Sequence, residues 1–480
     1  MSRLRWHLVF AALAGLAVRL LFVLYFSTDA GDTPVYEDIA TNWLKHGTYA
    51  LLVGGRLIPA DARVPGYPAF LAMIYALTGR VGAAARLWVM LVQVIVDLGT
   101  CLLTAALAAV LAPKEVRRRV ALIALWFAAT CPFLANYCGV PLTEVLATFF
   151  TTAALLCFAK SVCAVSSGAL QAGSLPWKTD FLGAILVGLA SLIRPESPLL
   201  LAAFLLVLAW QERRPSQWKS LMVRGAALGC LAVIPLLPWA ARNAITLHKV
   251  QFLASRHAEL PGENVPAGFI AWEKTWLFRL RDVYLVFWKL ETAPIAMEDI
   301  PPYAFDSPEE RERVAALLAK HNTSLELTED LDGGFAQLAR ERTARRPLRT
   351  YLWVPGARMF TMWFTPRTEV MPISGHLWPL RASWEDDPVD FSVTVGLLVL
   401  NIVYVGLALA GAWGLWRAPP ATNPGAKMAL GLIILFVLVR TAFLTTIETP
   451  EPRYVIECFP AVLALAAQTW TRQRSSTGSG

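Results

Sequence analysis

Charge is scarce in this 480-residue chain: 16% of its residues are Asp, Glu, Lys or Arg, 56% are hydrophobic, and the mean hydropathy is +0.50. That balance excludes a disordered chain and an ordinary soluble domain, and it implies a polytopic membrane protein. Seven cysteines, an odd number lying mostly in apolar runs, supply neither a disulfide framework nor metal-ligand spacing; they read as small buried hydrophobes. Six histidines are scattered with no His-Glu-x-x-His pattern, so no metal site and no cofactor are expected. No internal repeat of the kind found in many transporters is visible. No small-residue cleavage site follows the first apolar run, Leu8 to Phe26, which carries Arg19; it reads as a retained helix. The net charge of +8 does not point to nucleic acid, because the basic clusters sit in short loops or termini beside apolar runs.

What is present is a series of apolar runs, several of them near the 20 or so residues that cross a bilayer as a helix. The clusters Arg3/Arg5, Lys114/Arg117/Arg118/Arg119, Arg213/Arg214/Lys219, Arg417/Lys427 and Arg472/Arg474 thread them with both termini cytoplasmic. Crossings are expected near 8–26, 87–111, 120–137, 143–160, 181–193, 197–211, 221–240, 393–416, 428–446 and 454–470. The expected fold class is an all-α polytopic membrane protein, these ten runs lying close to an expected total of about 11 transmembrane helices. Residues 1–241 form an N-terminal transmembrane catalytic module whose first external loop, 28–85, carries juxtamembrane helices such as the short apolar stretch Tyr67 to Leu77. Residues 242–391 form a mostly helical external, periplasmic region, 392–474 the C-terminal transmembrane helices, and 475–480 a disordered tail. Within the external region, Asp306-Ser307-Pro308-Glu309 signals a helix start. The aromatic stretch Tyr351 to Phe364, interrupted by Pro355-Gly356, reads as a membrane-surface segment.

Under this threading, polar groups of five separate segments meet one face of the membrane. They are the first loop, with Asp32, Glu37, Asp38, Asp61 and Arg63 beside Tyr36 and Tyr67; the turn Pro141-Leu142-Thr143-Glu144; Arg194-Pro195; Arg242-Asn243; and Arg453-Tyr454. Carboxylates and arginines gathered at one depth point to a site more than to scaffolding. The residue types suit glycosyl transfer from a lipid phosphate. An acceptor hydroxyl needs a carboxylate to take its proton, and a departing phosphate needs guanidinium donors. Tyr and Trp near the interface line a lipid path and stack on sugar rings.

The order of these pieces resembles the GT-C superfamily of membrane glycosyltransferases, in particular the branch of bacterial protein O-mannosyltransferases and the lipid A aminoarabinose transferase. The resemblance runs through Asp32…Tyr36…Ile39-Ala40, Arg63-Val64-Pro65-Gly66-Tyr67-Pro68, Pro141-Leu142-Thr143-Glu144, Leu192-Ile193-Arg194-Pro195, Pro238-Trp239-Ala240-Ala241-Arg242-Asn243 and Arg453-Tyr454. It implies a GT-C-like bundle in a bacterial inner membrane. The activity it implies is transfer of a hexose or pentose from a polyprenyl-phosphate carrier to a hydroxyl or similar group on a protein, lipid or glycan, with inversion. By the same resemblance Asp32 is the catalytic base, Glu144 the second acid, and Arg63 the carrier-phosphate ligand. Tyr36, Tyr67, Arg194, Arg242, Arg453 and Tyr454 complete the expected substrate contacts. The chain departs from the family in having Val64-Pro65 for a Pro-Pro pair and Asp32-Thr33 for an acid pair.

Each residue has a plainer reading as well. Asp32 before Thr33-Pro34 suits a helix cap, and Glu144 suits the positive N-terminus of a helix. Glu37 and Asp38 read as a solvated helix face, Asp61 as a turn residue, and Arg63 and Arg453 as interface anchors. Arg194 suits a helix break whose freed carbonyls it would bond. Arg19 and Asp97 read as a structural ion pair. A transporter or lipid flippase is the alternative function, and a scaffold binding a partner through 242–391 a third; the first calls for acids near the midplane, not at helix ends.

Overall fold

The computed structural model describes residues 2–166, 177–211, 218–255, 265–290, 292–419 and 423–471. The expected tail and the basic residues Arg213, Arg214, Arg472 and Arg474 lie outside the described residues. The chain divides into two compact units, one formed by Met1–Arg256, Pro366–Val439 and Ile456–Gly480, the other by His257–Thr365 and Arg440–Val455. The expected external region 242–391 thus contributes to both.

The first unit is a helical bundle. Its elements are α1 (Ser2–Tyr25), α2 (Thr33–His46), a hairpin of β1 (Ala50–Val53) and β2 (Arg56–Pro59), α3 (Gly66–Thr78), α4 (Arg86–Leu111), α5 (Arg117–Thr130), α6 (Pro132–Ala135) and α7 (Glu144–Ser166). They continue as α8 (Trp177–Ser191), α9 (Pro198–Gln211), α10 (Trp218–Val233) and α11 (Leu237–Thr246). In the second unit lie α12 (Ala267–Glu273), α13 (Leu280–Leu285), α14 (Pro308–Ser324), α15 (Glu329–Arg345) and α16 (Val354–Trp363). The chain then returns to the first unit with α17 (Leu380–Asp386), α18 (Pro388–Arg417), most of α19 (Ala426–Leu444) and α20 (Phe459–Ala466).

Among the described residues, six helices are long and apolar enough to cross a membrane: Arg5–Tyr25, Gly82–Leu111, Glu144–Ser166, Trp218–Thr246, Pro388–Arg417 and Ala426–Leu444. A seventh is added if Arg117–Thr130 and Pro132–Gly139, bent by 52° at their junction, act as one span. Pro132 explains that bend, since the residue before a proline is pushed out of helical geometry. Fewer helices meet the length criterion than the 11 or so expected from apolar runs. The stretches expected at 181–193 and 197–211 form helices of 15 and 14 residues, shortened by the break at Arg194-Pro195. The last run is divided between α20 and flanking 3-10 turns. The junction expected after residue 241 falls inside the Trp218–Thr246 span.

Inside the bundle, the Arg19 guanidinium donates to Asp97 Oδ2 at 2.7 Å and to the carbonyls of Gly15 and Ala129 at 3.0 and 2.8 Å. It thereby fastens α1 to α4 and α5. Neither charge is tolerable alone in a membrane interior, so the pair acts as a structural clamp. Phe158 and Phe204 stack at 4.1 Å between α7 and α9.

The second unit has its own aromatic core of Phe269, Trp272, Trp276 and Phe335, built where α12 meets α15. Asp332 on α15 accepts from the backbone N–H groups of Gly268 and Phe269 at 2.8 and 2.9 Å and so caps the N-terminus of α12. The helix start expected at Ser307-Pro308 is observed, with Ser307 Oγ accepting from Glu310 N.

Candidate active site

The first loop is held against the ends of other helices by backbone contacts that its sequence permits. After α1, Thr28 N donates to Gly139 O at 3.1 Å and Thr33 Oγ1 to Pro141 O at 3.2 Å. These bonds bring the start of α2 to the turn that opens α7. Gly66 makes the other close approach: its N–H donates to Leu192 O at 2.6 Å, and a Cβ there would lie 2.4 Å from that oxygen. Only glycine fits, so the segment carrying Arg63 is docked on the end of α8 just before Arg194. Between these contacts, Gly54 (φ 55°) and Gly55 (φ 78°) make the two-residue turn of the β1–β2 hairpin. Two adjacent positive φ values favour glycine, and this turn matches the strand twist.

Two ion pairs result. Arg63 Nη2 lies 2.7 Å from Asp32 Oδ1, with the two side chains 25% and 26% exposed. Arg194 Nη2 lies 2.5 Å from Glu144 Oε1, with Glu144 only 2% exposed at the first turn of α7. Asp32 precedes α2, yet its carboxylate makes no capping hydrogen bond to that helix. The Arg194 guanidinium turns to Glu144 at the helix break.

Tyr36 joins the two pairs. Burial raises its hydroxyl above the ordinary tyrosine pKa; the positive charges of Arg63 and Arg194 oppose that rise, and the negative charges of Asp32 and Glu144 reinforce it. All four charged groups are therefore within electrostatic reach of one phenol. The Arg63 guanidinium sits 5.8 Å from the Tyr36 ring centroid, and the Tyr67 ring meets Tyr36 edge-on at 5.2 Å. Tyr67 is fixed in turn by its hydroxyl, which donates to Gln93 Oε1 at 2.9 Å.

The other expected contacts are placed differently. Arg242 donates to the carbonyls of Ala60 and Tyr49 at 2.8 and 2.6 Å, and its guanidinium stacks near Tyr49 and Trp239, which ties the hairpin to α11. Arg453 and Tyr454 belong to the second unit, where Arg453 Nε lies 2.6 Å from Glu451 and Tyr454 Oη donates to the same carboxylate at 2.8 Å.

Sequence reasoning missed the role of Glu37. Expected on a solvated face, it is buried and takes both Nε and Nη2 of Arg86, at 2.7 and 3.0 Å. Arg86 also reaches Asp29 at 3.2 Å, so it ties both ends of the Asp32 turn to the start of α4. The only available signal was an arginine opening a long apolar run. Asp38, likewise expected to be solvated, accepts from Leu52 N at 2.7 Å and braces the hairpin. Among the described residues, no group of three or more His, Cys, Asp or Glu side chains is arranged to hold a metal ion.

Part of the chain is similar in sequence to a family of mannosyltransferases. The particular likeness is to the Alg9-like mannosyltransferase family, whose model matches residues 61–239, from the Arg63 loop through α10 into α11. No curated protein sequence matches the chain. Among solved structures, the chain overlaps the Archaeoglobus fulgidus oligosaccharyltransferase in complex with Zn and sulfate, at 14% identity and TM-score 0.47, over 96% of this chain and 48% of that one. It overlaps AglB from the same organism, in complex with an inhibitory peptide and a dolichol-phosphate, at 14% identity and TM-score 0.47, over 96% and 50%. ArnT from Cupriavidus metallidurans bound to undecaprenyl phosphate overlaps at 13% identity and TM-score 0.42, over 92% and 77%. The chain spans about half the length of the archaeal enzymes. Overlaps at this level assign no activity.

Proposed function

We propose that the protein transfers a sugar from a polyprenyl-phosphate carrier to an acceptor hydroxyl or similar group on the outer, periplasmic face of a bacterial inner membrane. The observation that carries this reading is the side chain of Asp32: at a helix start it makes no capping bond and faces Arg63 instead. A carboxylate held this way, one-quarter exposed, is accessible to an incoming group.

Resting ion pairs give the site a way to exchange partners. A phosphate entering beside Arg63 and Arg194 competes with Asp32 and Glu144 for the two guanidinium groups. Asp32, released from Arg63, then accepts the proton of the acceptor hydroxyl as its oxygen attacks the anomeric carbon. The new carbon–oxygen bond forms as the bond to the phosphate oxygen breaks; the electron pair leaves with the polyprenyl phosphate, and the arginines stabilise its charge. The anomeric centre inverts. Glu144 positions the acceptor or the sugar, and Tyr36 and Tyr67 give the sugar an aromatic wall. Arg242 acts by holding the hairpin.

Sidedness follows from charge. At the far end of α4 from the site, the turn to α5 carries Lys114, and α5 opens with Arg117, Arg118 and Arg119. A cytoplasmic position for that cluster puts Asp32 on the opposite side and the N-terminus inside, with the C-terminus inside as well. Within this reading, 1–241 is the catalytic module, 242–391 an external, periplasmic region, and 392–474 completes the bundle.

The test uses proteoliposomes supplied with a labelled polyprenyl-phosphate sugar and extracts of envelope protein, lipid and glycan as acceptors. Label in a new glycosidic bond that survives the mild acid that cleaves the polyprenyl-phosphate sugar supports the proposal. Movement of label across the bilayer with no new bond would instead mark a transporter or flippase.

A further inference from the structure

In the second unit, residues 349–363 form one continuous helical segment, a π-helical turn at Arg349–Trp353 leading into α16. One side of it is inward: Val354, Arg358 and Met362, spaced four apart, are buried. The opposite side carries Tyr351, Leu352, Trp353, Met359 and Phe360, with Leu348 just before it, and these are exposed. Tyr351 and Trp353 are 73% and 70% exposed, and Phe360 61%. From Thr350 to Phe364 the only charged residue is Arg358, and it points inward to the carbonyls of Leu277 and Ile447, each at 2.8 Å. A helix face without charge and rich in aromatics is not a water-facing surface.

Its neighbours identify the occupant. Trp363 Nε1 donates to Thr441 Oγ1 at 3.1 Å, and Met362 packs with Leu444 and Val455. Thr441 and Leu444 are in the last turns of Ala426–Leu444, one of the helices apolar enough to span the membrane. The segment is therefore fastened to the end of a membrane span. Three residues before it comes Arg346, which is exposed and forms no ion pair among the described residues, whereas Arg345 beside it is paired with Glu310. A guanidinium group at one end and Tyr and Trp along an apolar face complement a phosphate-bearing lipid surface.

We propose that residues 349–363 form an interfacial helix whose Tyr351, Trp353 and Phe360 side chains insert at the boundary between headgroups and acyl chains. This inference is independent of the transfer reaction. It assigns the second unit a lipid contact of its own, beside the helices that cross the bilayer.

The experiment places nitroxide labels on Trp353→Cys and Phe360→Cys in the full chain, in a Cys163→Ala/Cys230→Ala background, within nanodiscs of phosphatidylethanolamine and phosphatidylglycerol. Labels at Glu312, exposed on α14, and Ile402, exposed on the α18 span, set the aqueous and lipid limits. At 353 and 360, collisions with oxygen should exceed those with a water-soluble nickel chelate several-fold, as at 402. Ratios equal to that at 312 overturn the proposal. Low collision rates with both reagents, the signature of a face covered by another protein or a second copy, overturn it too.

Discussion

Replacing Gly66 by alanine perturbs the site without touching a charged group. The added Cβ falls 2.4 Å from Leu192 O and 2.8 Å from Ile193 Cγ1, where ordinary contact begins at 3.4 Å. Neither neighbour is a flexible chain end, because the carbonyl belongs to the end of α8 and already accepts from Gly66 N. Relief needs a separation of about 1 Å between the Arg63 segment and the end of α8, which displaces Arg63 from Arg194 by a similar distance. Overpacking of this kind costs about 1–3 kcal/mol in stability. A misplacement of about 1 Å at a reacting centre costs about 10²-fold in rate. The assay pairs thermal unfolding in detergent with the transfer rate from a labelled polyprenyl-phosphate sugar. Gly406→Ala, on α18 with nothing within 4 Å of the new Cβ, is the control and should leave both unchanged or raise stability slightly. A Gly66→Ala protein with wild-type melting and wild-type transfer would refute the claim that this contact positions the arginines.

Three further outcomes follow from particular side chains. Arg194→Gln takes the guanidinium away from the Glu144 carboxylate where it is 2% exposed, so it should lower stability by about 3–5 kcal/mol, and adding Glu144→Gln should restore most of that loss; thermal melts of the three variants decide it, and a simple sum of the two single effects counts against the pairing. Arg19→Met should destabilise the bundle by a similar 3–5 kcal/mol or so, through stranded Asp97, with no specific change in transfer by the protein that remains folded. Glu273 is buried with neither carboxylate oxygen hydrogen-bonded, and burial raises its pKa well above the ordinary 4.5; Glu448 and Asp282 add to the rise and Arg358 opposes it. The folded state therefore keeps a proton that the unfolded chain releases, and the second unit should lose stability as pH rises from 4.5 towards that raised value. Glu273→Gln should flatten this slope, read by hydrogen exchange over α12 at several pH values; parallel slopes in the two proteins would show that Glu273 is not its source.

Much of the bundle is legible in the sequence because apolar runs of membrane length are a one-dimensional signal. The Arg19–Asp97 clamp is legible too, since two opposite charges in apolar runs have few other ways to be satisfied. Proline breaks are only partly readable. The break at Arg194-Pro195 is legible, but the run around Cys131-Pro132 looks like an ordinary crossing until the geometry shows it bent. The hairpin at Ala50–Pro59 had a local signal, Gly54-Gly55 between two apolar pairs, in a loop otherwise read as helical. In the site, residue types indicate which groups can carry chemistry, and chain order indicates which helix ends bear them. Pairing is not contained in either. That Glu37 meets Arg86, 49 residues away, and that Arg242 is engaged by the hairpin carbonyls, depend on tertiary packing. The exposed face of 349–363 becomes clear only once Arg358 is seen to point inward.

The account stands most directly on the transfer rate of Asp32→Asn, measured with a labelled polyprenyl-phosphate sugar on protein whose melting temperature matches the wild type. Loss of the base predicts a fall of about 10²–10⁴-fold while the donor still binds. Transfer at the wild-type rate by that folded variant would contradict it.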